Sequence, residues 1–204
     1  MTEAERAYYD RRAPEYDDWY LGAGLFAQRD RPGWADELAA LKAVVASLNF
    51  RSIVDVACGT GFLTECLRGR ITGLDQSAAM LAIARSRVPH GAFVQGDALR
   101  LPFRSGHFDG LVTAHFYGHL DEAARRVFLN EARRVSDSIV MIDAAAREDV
   151  PAEEHQERVL SDGSRHVVYK RYFTPERLIV ELGRGRTLHA GRWFVAVLAE
   201  ATAA

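Results

Sequence analysis

The sequence predicts an α/β fold: a doubly wound, mostly parallel sheet with an antiparallel last strand and helices on both faces. Three observations predict it. Short apolar runs alternate with helical patterns in units of about thirty residues across 50–143. Those runs end in acids, glycines or polar groups: Asp55 to Gly61, Asp75, Asp97, Thr113 to His119, and Asp143. The tail then changes texture, with two hairpin signals around one well-marked helix. In such sheets ligands bind at the carboxyl ends of strands, so the polar strand ends already mark a site.

Each element has its own signal. Thr2 and Glu5 form a capping-box pattern, which starts a helix over 3–12 that Pro14 ends. Residues 14–33 carry Gly22, Gly24, Pro32 and Gly33 and read as irregular or partly helical. Trp34, Leu38, Leu41, Val45 and Leu48 then recur at spacings of four and three, one apolar helix face. Ile53 to Val56 is a short strand ending in Cys58-Gly59-Thr60-Gly61, and Phe62 to Leu67 fits a helix. Ile71 to Asp75 is the next strand. Ser77 caps a helix through Val88, with Met80, Leu81, Ile83 and Ala84 inward. Ala92 to Val94 and Phe108 to Thr113 are strands, Asp121 caps a helix through Val135, and Ile139 to Ile142 is the fifth strand. Asp162-Gly163 marks a hairpin between Val159 and Phe173. Thr174-Pro175-Glu176 opens a helix that Gly183 closes. A second hairpin joins Thr187–His189 to Trp193–Leu198. The Ala201 to Ala204 end is expected to fray.

Composition bounds the function. The 204 residues, 48% hydrophobic and 26% charged, suit a single domain with a core of its own. No apolar stretch approaches a membrane span, and the charged start Met1 to Arg6 has no signal-peptide core. A net charge of -2 argues against gripping nucleic acid by bulk charge. Cys58 and Cys66 make no disulfide framework and no metal set, so a cytoplasmic location and no metal are expected. Lys42 and Lys170 are the only lysines among 26 basic residues.

The loop Cys58-Gly59-Thr60-Gly61 lets a ligand approach the backbone, though structural turns often give Gly-x-Gly. Asp75, at the end of the second strand, can accept from both hydroxyls of a ribose. Asp97, after the third, can accept from an amine such as adenine N6. Either acid alone reads equally well as a cap or a solvated loop residue. Two at successive strand ends, after a glycine loop, favour a nucleoside.

The segment Val54-Asp55-Val56-Ala57-Cys58-Gly59-Thr60-Gly61 resembles the first motif of class I S-adenosylmethionine-dependent methyltransferases of the small-molecule type. Gly73-Leu74-Asp75-Gln76-Ser77 is similar to their second motif, and Gln95-Gly96-Asp97-Ala98-Leu99-Arg100-Leu101-Pro102-Phe103 to their third. Phe108-Asp109-Gly110-Leu111-Val112 and the loop to Leu120 resemble the fourth strand and its sequel. The likeness spans residues 50–143. It implies a Rossmann-like, seven-stranded sheet and S-adenosylmethionine as cofactor, with S-adenosylhomocysteine as product. It divides the domain into a helical lid (1–49), a cofactor core (50–143), a cap hairpin (144–173) and the last helix and strands (174–204). It implies that Gly59 and Gly61 pass under the methionyl group, that Asp55 orients its ammonium, and that Thr113 or Ala114 offers it a carbonyl. Asp75 then holds the ribose, and Asp97 with the Ala98 N–H reads adenine. Position 64 is Thr, so the dinucleotide pattern Gly-x-Gly-x-x-Gly is incomplete.

Three positions depart from the family. Ala57 stands where glycine is common and fits if the turn keeps φ negative there. Gln76 replaces an apolar residue that lies on adenine, leaving its amide plane to stack. Ser136-Asp137-Ser138 replaces a Pro-Gly-Gly turn.

The stretch from Tyr9 to Asp17 resembles the N-terminal lid of small-molecule methyltransferases, in which a tyrosine covers the cofactor. Tyr16 or Tyr8 is the expected contact; the alternative is an amphipathic helix wedged by its tyrosines. His115, Tyr117 and His119 follow the fourth strand, and His115, nearest its end, is the first candidate base. His119 equally suits the start of the next helix, and His115 a satisfied loop histidine. His155 lies in an acidic run that either hangs over the site or is simply solvated. One face of the hairpin, carrying some of His166, Tyr169 and Tyr172, points inward. No Asn-Pro-Pro-Tyr or Asp-Pro-Pro-Tyr follows the fourth strand, which favours a small-molecule acceptor over a nucleic-acid base. The expected activity is methyl transfer to O, N or C of a small metabolite. The competing readings are a non-catalytic nucleoside-binding protein and an aminopropyl-type transferase.

Overall fold

A computed structural model describes residues 3–200. The side chains of the proposed Thr2/Glu5 cap and the end 201–204 lie outside the described residues. The chain opens with α1 (Glu3–Arg12), a short α2 (Asp18–Leu21) and α3 (Trp34–Ala46). Then come β1 (Ser52–Val56), β2 (Arg70–Asp75), α4 (Ala78–Arg87), β3 (Ala92–Gln95), β4 (Phe108–Ala114), α5 (Glu122–Val135) and β5 (Ser136–Ala144). The tail holds β6 (Glu153–Val159), β7 (Arg165–Arg171), α6 (Pro175–Glu181), β8 (Arg186–Ala190) and β9 (Phe194–Glu200).

Seven strands form one sheet in the order β3-β2-β1-β4-β5-β9-β8, while β6 and β7 pair as a separate antiparallel hairpin. The first five strands of the sheet are parallel. The last two add antiparallel pairings, β9 on β5 and β8 on β9. The chain leaves β1 towards β2 and later returns on its other side as β4. This reversal opens a crevice at the carboxyl ends of β1 and β4.

Alternation along the strands divides the core. Ile53, Val112, Val140, Ile142 and Ala196 face α3, where Leu38, Leu41 and Val45 are buried. Their neighbours Val54, Leu111, Met141 and Val197 face the other way, onto Phe128, Leu129 and Ala132 of α5. Local signals fix the helix starts: Ser77, Asp121 and Thr174 each accept a backbone N–H three residues ahead.

Three expectations are corrected. Phe62 to Leu67 does not form a helix beyond a 3-10 turn at Thr64–Cys66. The run from Cys58 to Thr64 is buried without a break, so it has no solvent face for a surface helix, and Leu67 is already extended. Ser136-Asp137-Ser138 is no turn: α5 ends at Val135 and β5 starts at Ser136. The acidic run around His155 is the strand β6, whose alternation exposes Glu153, His155 and Glu157 and turns Glu154, Gln156 and Arg158 inward. Among the described residues no helix is long and apolar enough to cross a membrane.

Candidate active site

A cavity of about 400 Å³ lies over the crevice. Its floor is made of strand ends: Ala57 after β1, Asp75 and Gln76 at β2, Gly96 and Ala98 after β3, and Ala114 and His115 at β4. Tyr8, Tyr9 and Tyr16 cover it, and His119 with the β7 segment around His166 and Tyr169 closes the far side.

Asp75 is the most constrained group on the floor. Its Oδ2 accepts the Gly59 N–H (2.9 Å) and its Oδ1 the Ser77 N–H (2.9 Å). Burial pushes its pKa up, and these N–H groups pull it back. The Gly59 N–H of the glycine loop thus goes to a protein carboxylate. Gly59 has φ +54°, and a Cβ there would lie 3.4 Å from the Tyr16 ring. Gly61 has φ +78° and packs against Ala84 of α4, where a Cβ would meet backbone at 3.3 Å. Gly61 therefore seats the loop on α4.

Ala57 has φ +60°, not the negative value expected of an alanine. The backbone turns left-handed there, at a cost of about 1–2 kcal/mol to an L-residue. Asp55 is buried, and its Oδ2 accepts from Thr64 Oγ1 (2.6 Å). Burial pushes its pKa up to about 7 against the pull of that hydroxyl. It opens onto a narrow cleft that shares Tyr16, Ala57 and Ala114 with the main cavity.

Asp97 is exposed and accepts the Leu99 N–H (2.9 Å) across its own turn; its neighbours Gly96 and Ala98 form the wall. Gln76 is half-buried and lines the cavity. Thr113 is fully buried inside β4, and Ala114 is the residue on the cavity.

The cover is pinned by acids. Asp10 accepts from Ser77 Oγ and the Ala79 N–H at the start of α4. Asp17 accepts from Thr60 Oγ1 and pairs with Arg87. Tyr16 is thereby held over Gly59, and burial raises its phenol to about 12. Tyr8 is buried, accepts from Arg12 Nη1 (2.6 Å) and meets the His166 ring at 4.7 Å.

The three residues after β4 separate. His115, with φ +54°, lines the cavity and packs edge-on against Trp19 and Phe194. Burial drives its pKa down to about 3, so the ring is neutral at pH 7, and neither ring nitrogen has a partner among the described residues. Tyr117 is turned into the core, where it donates to Glu181 Oε2 (2.6 Å), so it is not brought to the site. His119 lines the cavity and donates from Nδ1 to the Tyr169 carbonyl (2.7 Å), tying the loop to β7 rather than to α5. Burial, then Lys170 and Arg158, hold it well below the usual histidine range. His155 is exposed on the outer face of β6, away from the cavity, and Tyr172 bonds Gln156 and Glu154.

Sequence reasoning missed the pair Lys170–Asp143. Lys170 Nζ donates to Asp143 Oδ1 (2.6 Å), and Oδ2 accepts the Gly118 N–H (2.7 Å). Both are buried, and Lys170 holds the aspartate below the usual carboxylate range against its burial. The polar end of the fifth strand was a signal for Asp143; nothing local announced its partner. Among the described residues no three His, Cys, Asp or Glu side chains are grouped to hold a metal ion.

The family described as methyltransferase domain matches residues 53–138. The demethylmenaquinone methyltransferase of Thermotoga maritima is 34% identical over 62% of this chain and 54% of its own length. The fatty-acid O-methyltransferase of Mycolicibacterium smegmatis is 31% identical over 76% of this chain and 58% of its own. The chain thus spans little more than half the length of these two relatives. The solved DhpI-SAM-HEP complex shares the fold, with a TM-score of 0.74, 24% identity and coverage of 97% of this chain and 96% of that one. The expected resemblance holds: residues 53–138 match a methyltransferase domain, and the chain has the expected seven-stranded α/β sheet.

Two stability outcomes follow from this geometry. Ala57→Gly should raise the unfolding free energy by up to about 1 kcal/mol in urea titrations, because it relieves the positive φ. Lys170→Met should cost about 3–5 kcal/mol by stranding Asp143, and adding Asp143→Asn should recover much of that loss.

Proposed function

We propose that this chain is an S-adenosylmethionine-dependent methyltransferase that transfers the methyl group to O, N or C of a small metabolite. The observation that carries this reading is Asp75. It is a buried carboxylate at the end of β2, fixed by two N–H groups, on the floor of a cavity at the sheet's reversal point. Its remaining lone pairs suit the two hydroxyls of a ribose.

The other residues fit the same cofactor. The missing side chain at Gly59 lets the Tyr16 ring pack close to the loop, and both line the cavity where a methionyl chain would run. Asp55, with the Ala114 carbonyl, supplies acceptors for an ammonium. Gln76 and Ala98 border the place for adenine, with Asp97 on its rim. When bound, the cofactor's sulfonium supplies an electrophilic methyl group. The protein's part is to bind, orient and exclude water, through the tyrosine cover and the hairpin. Both ring nitrogens of His115 are buried among Trp19, Tyr20 and Phe194, which leaves His119, on the cavity wall, as the histidine nearer an acceptor; burial holds both rings neutral and makes both weak bases. The small-molecule scale of the acceptor follows from the cavity and accords with the quinone and fatty-acid methyltransferases among the relatives.

Calorimetry with S-adenosylhomocysteine tests this. Wild type should bind, and Asp75→Ala should lose at least about tenfold in affinity, since it removes two charge-assisted hydrogen bonds. Absence of binding by wild type would overturn the reading. Asp55 adds a pH signature. With its pKa near 7, it is largely protonated at pH 6, and a bound ammonium favours the carboxylate. Binding at pH 6 should therefore release a proton, and affinity should weaken as pH falls below 7. Titrations in two buffers of different ionisation enthalpy measure the release, and Asp55→Asn should abolish it.

A further inference from the structure

Two guanidinium groups behind the Tyr8–His166 wall of the cavity, a buried Arg12 and a half-buried Arg158, have no carboxylate partner among the described residues. Arg12 is 9% exposed. Its guanidinium donates to Tyr8 Oη and lies 5.0 Å from the centre of the Tyr16 ring. Arg158, on the inner face of β6, donates to Gln156 Oε1 (2.7 Å). Among the described residues neither arginine pairs with a carboxylate. The nearby acids are engaged elsewhere. Glu154 accepts from Gln156 and Tyr172, and Glu15 accepts the Ser161 N–H.

The two arginines belong to one place. Burial lowers the Arg158 pKa, and the Arg12 charge lowers it further, while Tyr8 and Tyr9 act the other way. Tyr8 links them in space: it accepts from Arg12 and packs on Tyr9 at 4.9 Å and on His166 at 4.7 Å. Arg158 stands opposite His166 in the hairpin, and the His166 ring packs on Tyr8 at the cavity wall. Among the described residues Asp75 is the only carboxylate lining the cavity, and it sits on the floor, tied to the glycine loop. Lys170, a buried cation on this hairpin, is already neutralised by Asp143.

We propose that this end of the cavity is an oxyanion subsite. Arg12 and Arg158 receive a carboxylate or phosphoryl-type group of the methyl acceptor, with the Tyr8 hydroxyl beside them. The proposal rests on reading the cavity as a methyltransferase site, and it narrows the acceptor to anionic metabolites. An oxyanion between the two guanidiniums relieves their mutual repulsion and takes up their unused N–H groups, which a neutral acceptor cannot do.

The test is calorimetric titration of the full chain with malonate and, separately, inorganic phosphate, each with and without saturating S-adenosylhomocysteine. Wild type should bind at least one anion. Arg158→Met and Arg12→Met should each weaken that binding at least about tenfold. Arg158→Lys should fall between, keeping the charge without the fork. Arg126→Met, on an exposed position of α5, should match wild type. Far-UV circular dichroism checks that each variant is folded, and the lysine variant serves if the methionine one is not. Tighter malonate binding assigns a carboxylate acceptor; tighter phosphate binding assigns a phosphoryl-type one. The subsite is overturned if neither anion binds wild type, or if Arg158→Met and Arg158→Lys lose no more than Arg126→Met. Arginine-dependent anion binding without any S-adenosylhomocysteine binding would keep the subsite and remove the methyltransferase reading. The reverse pattern would keep that reading and remove the subsite.

Discussion

The two hydrogen bonds received by Asp75 organise the site. One comes from the glycine loop after β1, the other from the first residues leading into α4. A single carboxylate thus fixes the loop, the end of β2 and the start of a helix relative to one another. The loop has no helix of its own to position it, only the 3-10 turn at Thr64–Cys66. Without Asp75 the Gly59 N–H would be a buried donor with nothing to accept it. Positive φ at Ala57 and Gly59 accompanies this bond, and positive φ at Gly61 then seats the loop on α4.

The cover depends on this arrangement. Asp10 binds Ser77 and Ala79 beside Asp75, and Asp17 binds Thr60 within the loop. Tyr16 lies between these two anchors, so its ring rests on Gly59. On the opposite side, His119 holds the Tyr169 carbonyl and Asp143 holds Lys170, which ties the hairpin to the ends of β4 and β5. The cavity is therefore closed by segments far apart in sequence, each joined to the floor by polar groups at strand ends.

This explains what was legible in the sequence. Strand order, helix caps and the glycine loop rest on local patterns, and Ser77, Asp121 and Thr174 act as their spacing implied. Asp75 was legible because its place at a strand end already limits what it can reach. Side-chain direction after a strand was not. Tyr117 and His119 are two residues apart, yet one enters the core to meet Glu181 and the other the cavity, because a 3-10 turn intervenes. The left-handed backbone at Ala57 and His115 was also hidden, since residue type argues against it and only the surrounding structure imposes it. Asp97 carried the right residue type at the right strand end, and its Oδ1 also accepts the Leu99 N–H of its own turn, a local bond the strand pattern does not announce.

The near-neutral charge of the chain conceals a division within one cavity. The floor carries Asp75, with Asp55 in the adjoining cleft, and both are raised by burial rather than relieved by arginine. Such acids are stabilised by a ligand bearing hydroxyl and ammonium donors. The cover and hairpin carry Arg12 and Arg158, whose neighbours are phenols and an amide. Those cations are stabilised by a ligand bearing an anion. Among the described residues the two sets are not paired with each other, and on the proposed reading a ligand entering the cavity supplies each set's partner. Two ligands of opposite complementarity, one at each end, satisfy the site better than either alone. The unpaired charges thus make binding of one ligand electrostatically compatible with the other, and they orient both along the same cavity.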